Sequence, residues 1–331
     1  SSDLRWVWSF VLILGALVGT HFLAAYLYES HLYLVDATAI IAALTLVYVH
    51  AYSVKFVSEF LQKQQIKKQF GTYLSPAMVE KLQRNPELLR LGGDTRELTL
   101  LFCDIRGFTP ISEQYKTDPQ GLTKLINRFL TPMTDVIMAN EGTIDKYMGD
   151  CIMAFWNAPL DVENQRKKAV GSALEMLATL KDLNAELASE DLLPINIGIG
   201  LNTGSVVVGN MGSNQRFDYS CLGDAVNLAS RLEGQSKGYG MKLVLGAETA
   251  RGLEKDFVVL ELDKIAVKGK KEGVNVYTAL CEYRPDWQVA ANRHATFLKL
   301  YRMREWDDAI VVANSLEREI NGMMAAHYGI M

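Results

Sequence analysis

Four cysteines are spread over 331 residues, at Cys103, Cys151, Cys221 and Cys281, and none lies closer than 48 positions to the next. That spacing contains no CxxC pair and no zinc pattern, so reduced, mostly buried thiols are the expectation. A GxxxxGK[ST] phosphate loop is missing too, which argues against P-loop kinases and ATPases. Charge is nearly balanced, with 34 Lys and Arg against 38 Asp and Glu and a net charge of -4, so nothing suggests broad nucleic-acid binding. Charge is also absent locally. No Asp, Glu, Lys or Arg occurs from Trp6 to Tyr28 or from Ala37 to Val54.

Each uncharged stretch approaches the roughly 20 apolar residues that cross a bilayer. A core helix of a large soluble protein has a similar composition, but two such stretches in tandem at one end favour membrane spans. The first is also too long for the apolar core of a signal peptide. Two transmembrane helices in residues 1–54, joined by the short loop Glu29–Leu34, are therefore predicted. That loop carries no Lys or Arg, whereas Lys55, Lys63, Lys67 and Lys68 follow the second stretch. The positive-inside rule then predicts a multi-pass inner-membrane protein with everything after residue 55 cytoplasmic. A first residue other than Met makes a further upstream segment an expectation.

Residues 55–93 read as a helical linker. Phe56, Phe60, Ile66, Phe70 and Leu74 form a loose apolar spacing compatible with a short parallel coiled coil. Ser75-Pro76 reads as a cap with proline at the first position of a second helix. From 94 to 281 the texture changes to α+β. Strands are predicted at Leu98–Cys103, Thr143–Met148, Cys151–Trp156, Ile195–Leu201, Ser205–Val208, Val258–Leu262 and Val274–Leu280, and helices at 119–139, 162–188 and 224–237. Short, tightly paired strands with helices inserted between them favour an α+β sandwich rich in antiparallel pairing. Residues 282–331 read as a helical hairpin with a structural role.

Three stretches carry chemistry. In "LLFCDIRGFT" an apolar strand ends on Asp104, and an unpaired buried carboxylate is costly. In "GTIDKYMGDCIMAFW" a second carboxylate, Asp150, follows Gly149 between two strand-like runs. A lone Gly-Asp is ordinarily a turn. Two carboxylates at the ends of adjacent strands repel unless a cation lies between them, which makes a shared divalent metal the expected partner of Asp104. In "GDAVNLASRLE" a helix puts Asn227 and Arg231 one turn apart, suited to a sugar or phosphate oxygen and equally to a solvated face.

Together "FCDIRGFT", "KYMGDCIMAFW", "GDAVNLASRLE" and "VKGKKEGVNVY", in this order, resemble the catalytic domain of class III nucleotidyl cyclases over about 94–281. The preceding "FGTYLSPAMVEKLQRNPELLRLGG" resembles the linker of membrane-anchored bacterial adenylate cyclases of the CHASE2-linked type. The resemblance implies a ferredoxin-like α+β catalytic domain that converts ATP to 3′,5′-cyclic AMP and pyrophosphate. It implies two Mg²⁺ or Mn²⁺ ions held by Asp104, Asp150 and the carbonyl of Ile105, and a triphosphate contact from Lys268. Asn227 and Arg231 match the residues that orient the ribose and stabilise charge on the α-phosphate. These groups come from two chains, so the implied active form is a homodimer with composite sites.

Base choice would rest on Lys146, which matches a lysine that meets adenine N1, and on Ser220, seven before Asn227. Ser220 departs from the Asp or Thr usual for adenine, and Cys221 is one residue out of register with the guanylate pattern. The alternatives are a guanylate or mixed-base cyclase, which Lys146 opposes, and a catalytically dead cyclase fold serving as a signalling module, which should have lost an Asp, the Asn or the Arg. "GGDTR" at 92–96 resembles half of a GGDEF signature but lacks the Glu-Phe pair.

Overall fold

A computed structural model of the chain describes residues 2–32, 37–70, 79, 83–84, 93–212, 217–265, 273–319 and 324–331. The chain divides into two compact units, Ser1–Gln69 and Phe70–Met331. The first holds helices α1 (Ser2–His31) and α2 (Ala37–Phe70). Of the two predicted spans, only one has a counterpart that is long and apolar enough to cross a membrane among the described residues. It is Thr38–Gln64, with a mean hydropathy of 1.7 and none of it buried against protein. One of the two predicted spans is thus supported; Trp6–Tyr28 is helical within α1, and the side chains of its first half lie outside the described residues. Hydroxyls in α2 are satisfied within the helix, Thr45 donating to the Ile41 carbonyl at 2.8 Å and Ser53 to that of Val49 at 2.7 Å. A segment surrounded by hydrocarbon needs such internal pairing. Residues 55–70 continue α2 unbroken, while Ser75-Pro76 and most of the linker after Phe70 fall outside the described residues.

The second unit is built on one eight-stranded sheet in the order β2-β3-β1-β4-β6-β8-β7, with β5 pairing beside β4. Strand β1 (Gly93–Ile105) leads through the turn at Arg106 and Gly107 into α3 (Phe108–Gln114) and then α4 (Pro119–Ala139). The hairpin β2 (Thr143–Met148) and β3 (Cys151–Trp156) follows, then α5 (Gln165–Ser189). Next come β4 (Ile197–Gly212), β5 (Phe217–Leu222) and α6 (Asp224–Gln235). The remaining elements are β6 (Leu243–Gly246), α7 (Ala247–Ala250), β7 (Phe257–Ile265), β8 (Val274–Glu282), α8 (Pro285–Met303), α9 (Trp306–Glu319) and α10 (Ala325–Ile330). All strand pairs are antiparallel except β4 with β6, which the α6 crossover joins in parallel. The predicted α+β architecture rich in antiparallel pairing is thus observed, with one parallel pair that was not predicted.

Leu98 to Cys103 is apolar at nearly every position because β1 is central and covered on both faces. Leu98, Leu100 and Phe102 enter a cluster with Met153, Phe155, Val206 and Ala229 of α6. The same alternation carries Asp104 onto the α6 side. Helix α6 lies unusually close to β4. A Cβ added at Gly200 would stand 2.2 Å from the Glu233 amide nitrogen and 2.4 Å from the Ala229 carbonyl oxygen. Glycine there allows the helix to seat on the sheet.

The structure departs from the predicted elements at "NTG". Two strands were expected on either side of it, whereas β4 runs on through Asn202, Thr203 and Gly204. Those polar residues stay in the ladder because each finds a buried partner. Thr203 shares hydrogen bonds with Thr99 at 3.0 Å and Thr249 at 2.9 Å, and Asn202 donates to the Ala225 carbonyl at 3.0 Å. The short strands β5 and β6 were not predicted. The C-terminal hairpin is α8 and α9, followed by a third helix, α10. Trp287, Phe297, Leu298, Ala313, Leu316 and Met324 share one core cluster with Leu260, Leu262 and Val276 of the sheet.

Candidate active site

Asp104 ends β1, opposite Gly198 in the β4 register, and is half-buried. Asp150 occupies the two-residue turn between β2 and β3, where Gly149 takes the positive φ (+69°) that such hairpin turns require. The two carboxylates face each other within hydrogen-bonding reach. Burial, then the charge of Asp150, hold the Asp104 carboxyl above its ordinary range, and the Ile105 amide opposes them. Facing carboxylates of this kind need a proton or a cation between them, and hard oxygen donors suit Mg²⁺ or Mn²⁺. Among the described residues no group of three or more His, Cys, Asp and Glu side chains is arranged to hold a metal. The pair therefore fits an ion that completes its shell with substrate phosphates and water, as Mg²⁺ commonly does.

Two residues beside this pair escaped sequence reasoning. Glu233, on α6 two positions past Arg231, has its carboxyl pushed up to about 7 by burial and then by the charges of Asp104 and Asp150, with Arg106 opposing them. Arg106 donates to Ser236 Oγ at 2.8 Å and to the Met241 carbonyl, tying the turn after β1 to the end of α6. Gly198 leaves the space: a Cβ there would stand 2.6 Å from Glu233 Oε1 and 2.4 Å from Ser236 Oγ. The only sequence signal was that Arg106 and Glu233 lie inside the two motifs already singled out.

A second group forms around Asp145. The β2–β3 register shifts between Ile144 and Lys146, so Asp145 is the extra residue of a β-bulge. Its side chain is fully buried while that of Lys146 is 43% exposed. Ser220 on β5 donates to Asp145 Oδ2 at 2.7 Å, and Lys146 Nζ lies 3.3 Å from Oδ1. Lys146 and Ser220, 74 positions apart in the chain, thus meet on one carboxylate. Burial raises the Asp145 carboxyl, whereas Ser220, Lys146 and the Cys221 amide stabilise its charged form.

Asn227 and Arg231 are exposed, one turn apart on the outer side of α6. Among the described residues no hydrogen bond or ion pair joins the Asp104–Asp150 group to the Lys146–Ser220 group. Ile105 is buried at the end of β1. Lys268 falls outside the described residues, as does most of its motif. None of the four cysteines is in a disulfide; Cys103 and Cys221 are buried and Cys151 and Cys281 partly so.

The family described as the adenylate and guanylate cyclase catalytic domain matches residues 93–280, from the first residue of β1 to within β8. The chain belongs to that family. Its cyclase domain is similar to an adenylate cyclase of Anabaena cylindrica, with 33% identity over 219 residues, which is 64% of this chain and 41% of the relative. The chain thus spans less than half the length of that relative. Among solved structures it is similar to the adenylyl cyclase CyaB from P. aeruginosa, with 33% identity and a TM-score of 0.54 over 59% of this chain and 98% of that one. The guanylyl cyclase Cya2 is equally similar, with 33% identity and a TM-score of 0.53 over 59% of this chain and 97% of that one. Overall similarity to cyclases of either base therefore does not choose the nucleotide.

Proposed function

We propose that the chain is a membrane-anchored adenylate cyclase that converts ATP to 3′,5′-cyclic AMP and pyrophosphate as a homodimer with composite sites. The observation that carries the choice of ATP is the meeting of Lys146 and Ser220 on Asp145. Lys146 is a donor only. It complements adenine N1, an acceptor, and mismatches guanine N1, which bears a proton. In this reading Asp104 and Asp150, with the Ile105 carbonyl, would hold two Mg²⁺ or Mn²⁺ ions. The bound ions would supply acidity to the ribose 3′-hydroxyl and positive charge to the triphosphate.

The protein's own groups do the remainder. Asn227 of the partner-facing helix holds the ribose so that its 3′ oxygen lies in line with the α-phosphorus. A bond forms from that oxygen to phosphorus, the bond to the bridging oxygen breaks so that pyrophosphate leaves with that oxygen, and the hydroxyl proton passes to water. Arg231 stabilises the charge that gathers on the α-phosphate. Lys268 contributes charge at the departing pyrophosphate. Thr38–Gln64 anchors the chain in the inner membrane, and the Lys residues that follow Val54 keep the catalytic domain on the cytoplasmic side. The linker resemblance to CHASE2-linked enzymes supports signal input from the membrane side.

A guanylate or mixed-base activity is the second reading, favoured by equal 33% identity to an adenylyl and a guanylyl cyclase. A dead signalling module is opposed by the retention of Asp104, Asp150, Asn227 and Arg231. The deciding experiment incubates the detergent-solubilised chain with ATP or GTP and Mn²⁺ and identifies the product by mass spectrometry. Cyclic AMP as the main product is expected. Absence of either cyclic nucleotide would sink the cyclase reading, and predominance of cyclic GMP would select the second one.

A further inference from the structure

A serine hydroxyl is ambiguous as a base-reading group, because it can rotate to donate or to accept. Here it is not free to choose. Ser220 Oγ donates its one proton to Asp145 Oδ2 at 2.7 Å, within a pocket where the Asp145 side chain is fully buried. What Ser220 still offers a ligand is its lone pairs. Lys146 Nζ lies 3.3 Å from Asp145 Oδ1 as an ion pair, while Oδ1 itself has no hydrogen-bond partner, and the partly exposed ammonium has N–H groups to present outward. The result is one acceptor and one donor held side by side. Adenine carries the matching edge, an amino donor at position 6 and an acceptor at N1. Guanine carries the reverse, a carbonyl acceptor at position 6 and a protonated N1.

We propose that Asp145 is a positioning residue for base selection, which fixes Ser220 as an acceptor and Lys146 as the neighbouring donor. This rests on the reading of the chain as a nucleotide cyclase and extends it to a residue that does not touch the base. Asp145 acts through Ser220 and Lys146, because its own carboxylate is sealed from solvent. Neighbours in a regular strand point to opposite faces; the β-bulge at Asp145 breaks that alternation, and the buried Asp145 carboxylate and the partly exposed Lys146 ammonium meet 3.3 Å apart. Without the extra residue, the alternation of a regular strand would place the two differently relative to β5.

The test compares wild type with Asp145→Asn, Ser220→Ala and the double variant. Readouts are kcat/KM for ATP and for GTP, the split between kcat and KM, and the melting temperature. Asn keeps the shape, but its amide removes the negative charge and can donate to Ser220, freeing the hydroxyl proton to face the ligand. The expected result for Asp145→Asn is a roughly tenfold fall in the ATP-to-GTP ratio, from the loss of one oriented hydrogen bond on each side of the comparison. The change should lie chiefly in KM for ATP. The double variant should be no worse in this ratio than the more affected single variant, since one residue works through the other. Equal losses for both nucleotides, with the ratio unchanged, would mean a merely structural role and overturn the proposal. A nucleotide-binding measurement separates this from failure of the activity reading. Displacement of a fluorescent ATP analogue by ATP and by GTP, on the same variants, reports base preference even if no cyclic product forms. An unchanged binding preference in Asp145→Asn would overturn the proposal independently of turnover.

Discussion

Replacing Gly200 with alanine tests how α6 positions its exposed residues. The three atoms nearest the added Cβ would all be backbone: the Glu233 amide nitrogen at 2.2 Å, the Ala229 carbonyl oxygen at 2.4 Å and Glu233 Cα at 2.8 Å. No side chain can rotate away to absorb the contact. Restoring ordinary carbon contacts of about 3.5 Å asks the helix to move off β4 by about 1 Å. Overpacking costs typically about 1–3 kcal/mol, and a clash with two turns of backbone belongs at the upper end. In a unit of this size that corresponds to a fall of about 4–12 °C in melting temperature. Activity should suffer more. Asn227 and Arg231 ride on α6, and a misplacement of about 1 Å in groups that orient a reacting substrate can cost about 100-fold in rate.

The control lies on the same helix. A Cβ at Gly234 meets nothing within 4 Å, so Gly234→Ala should be neutral or stabilising by up to about 1 kcal/mol through helix propensity. The assay is cyclic-nucleotide formation by the solubilised chain, alongside thermal melting of both variants. If Gly200→Ala retains wild-type melting temperature and kcat, the close seating of α6 has no functional weight and the reasoning fails.

Changing Asp104 or Asp150 to Ala should abolish cyclisation at saturating Mn²⁺ while the melting temperature holds or rises, because each change removes one of two facing carboxylates. Appreciable turnover in either variant would reject the pair as the metal site. Mixing Asp104→Ala chains with Arg231→Ala chains should restore one working site per heterodimer; no recovery, despite heterodimers demonstrated by crosslinking, would favour sites built within single chains. His294, buried against Glu261 and Tyr328, is held down to about 4, chiefly by burial. A depressed histidine is neutral when folded and charged when unfolded, so its contribution is complete above pH 6.5 and is lost as pH falls toward about 4. The slope is about 1.4 kcal/mol per pH unit within that window. Melting from pH 7.5 to 4.5 should show this slope in wild type and a shallower one in His294→Gln; parallel curves would remove His294 as the cause.

Much of the catalytic half was legible in the chain because its signals are local. An apolar run ending in Asp104, a Gly-Asp turn between two strands and an Asn and Arg one helical turn apart depend only on neighbours within a few residues. The helix at 119–139 and both strands of the β2–β3 hairpin followed from the same short-range periodicity. The membrane reading was local too, yet length and lack of charge singled out two stretches where one qualifies among the described residues. Tertiary structure decided what periodicity cannot encode. "NTG" has the composition of a turn, and only Thr99, Thr249 and Ala225, brought in by folding, keep it in β4. Asp145 looks like a polar strand residue until folding buries it at a bulge and brings Ser220 to it from 75 positions away. Glu233 looks like a solvated helix end until α6 settles on Gly198 and Gly200 and brings it within the field of Asp104. The residue types were written in the chain, but their protonation and hydrogen-bond roles depend on which distant groups share a dry space with them.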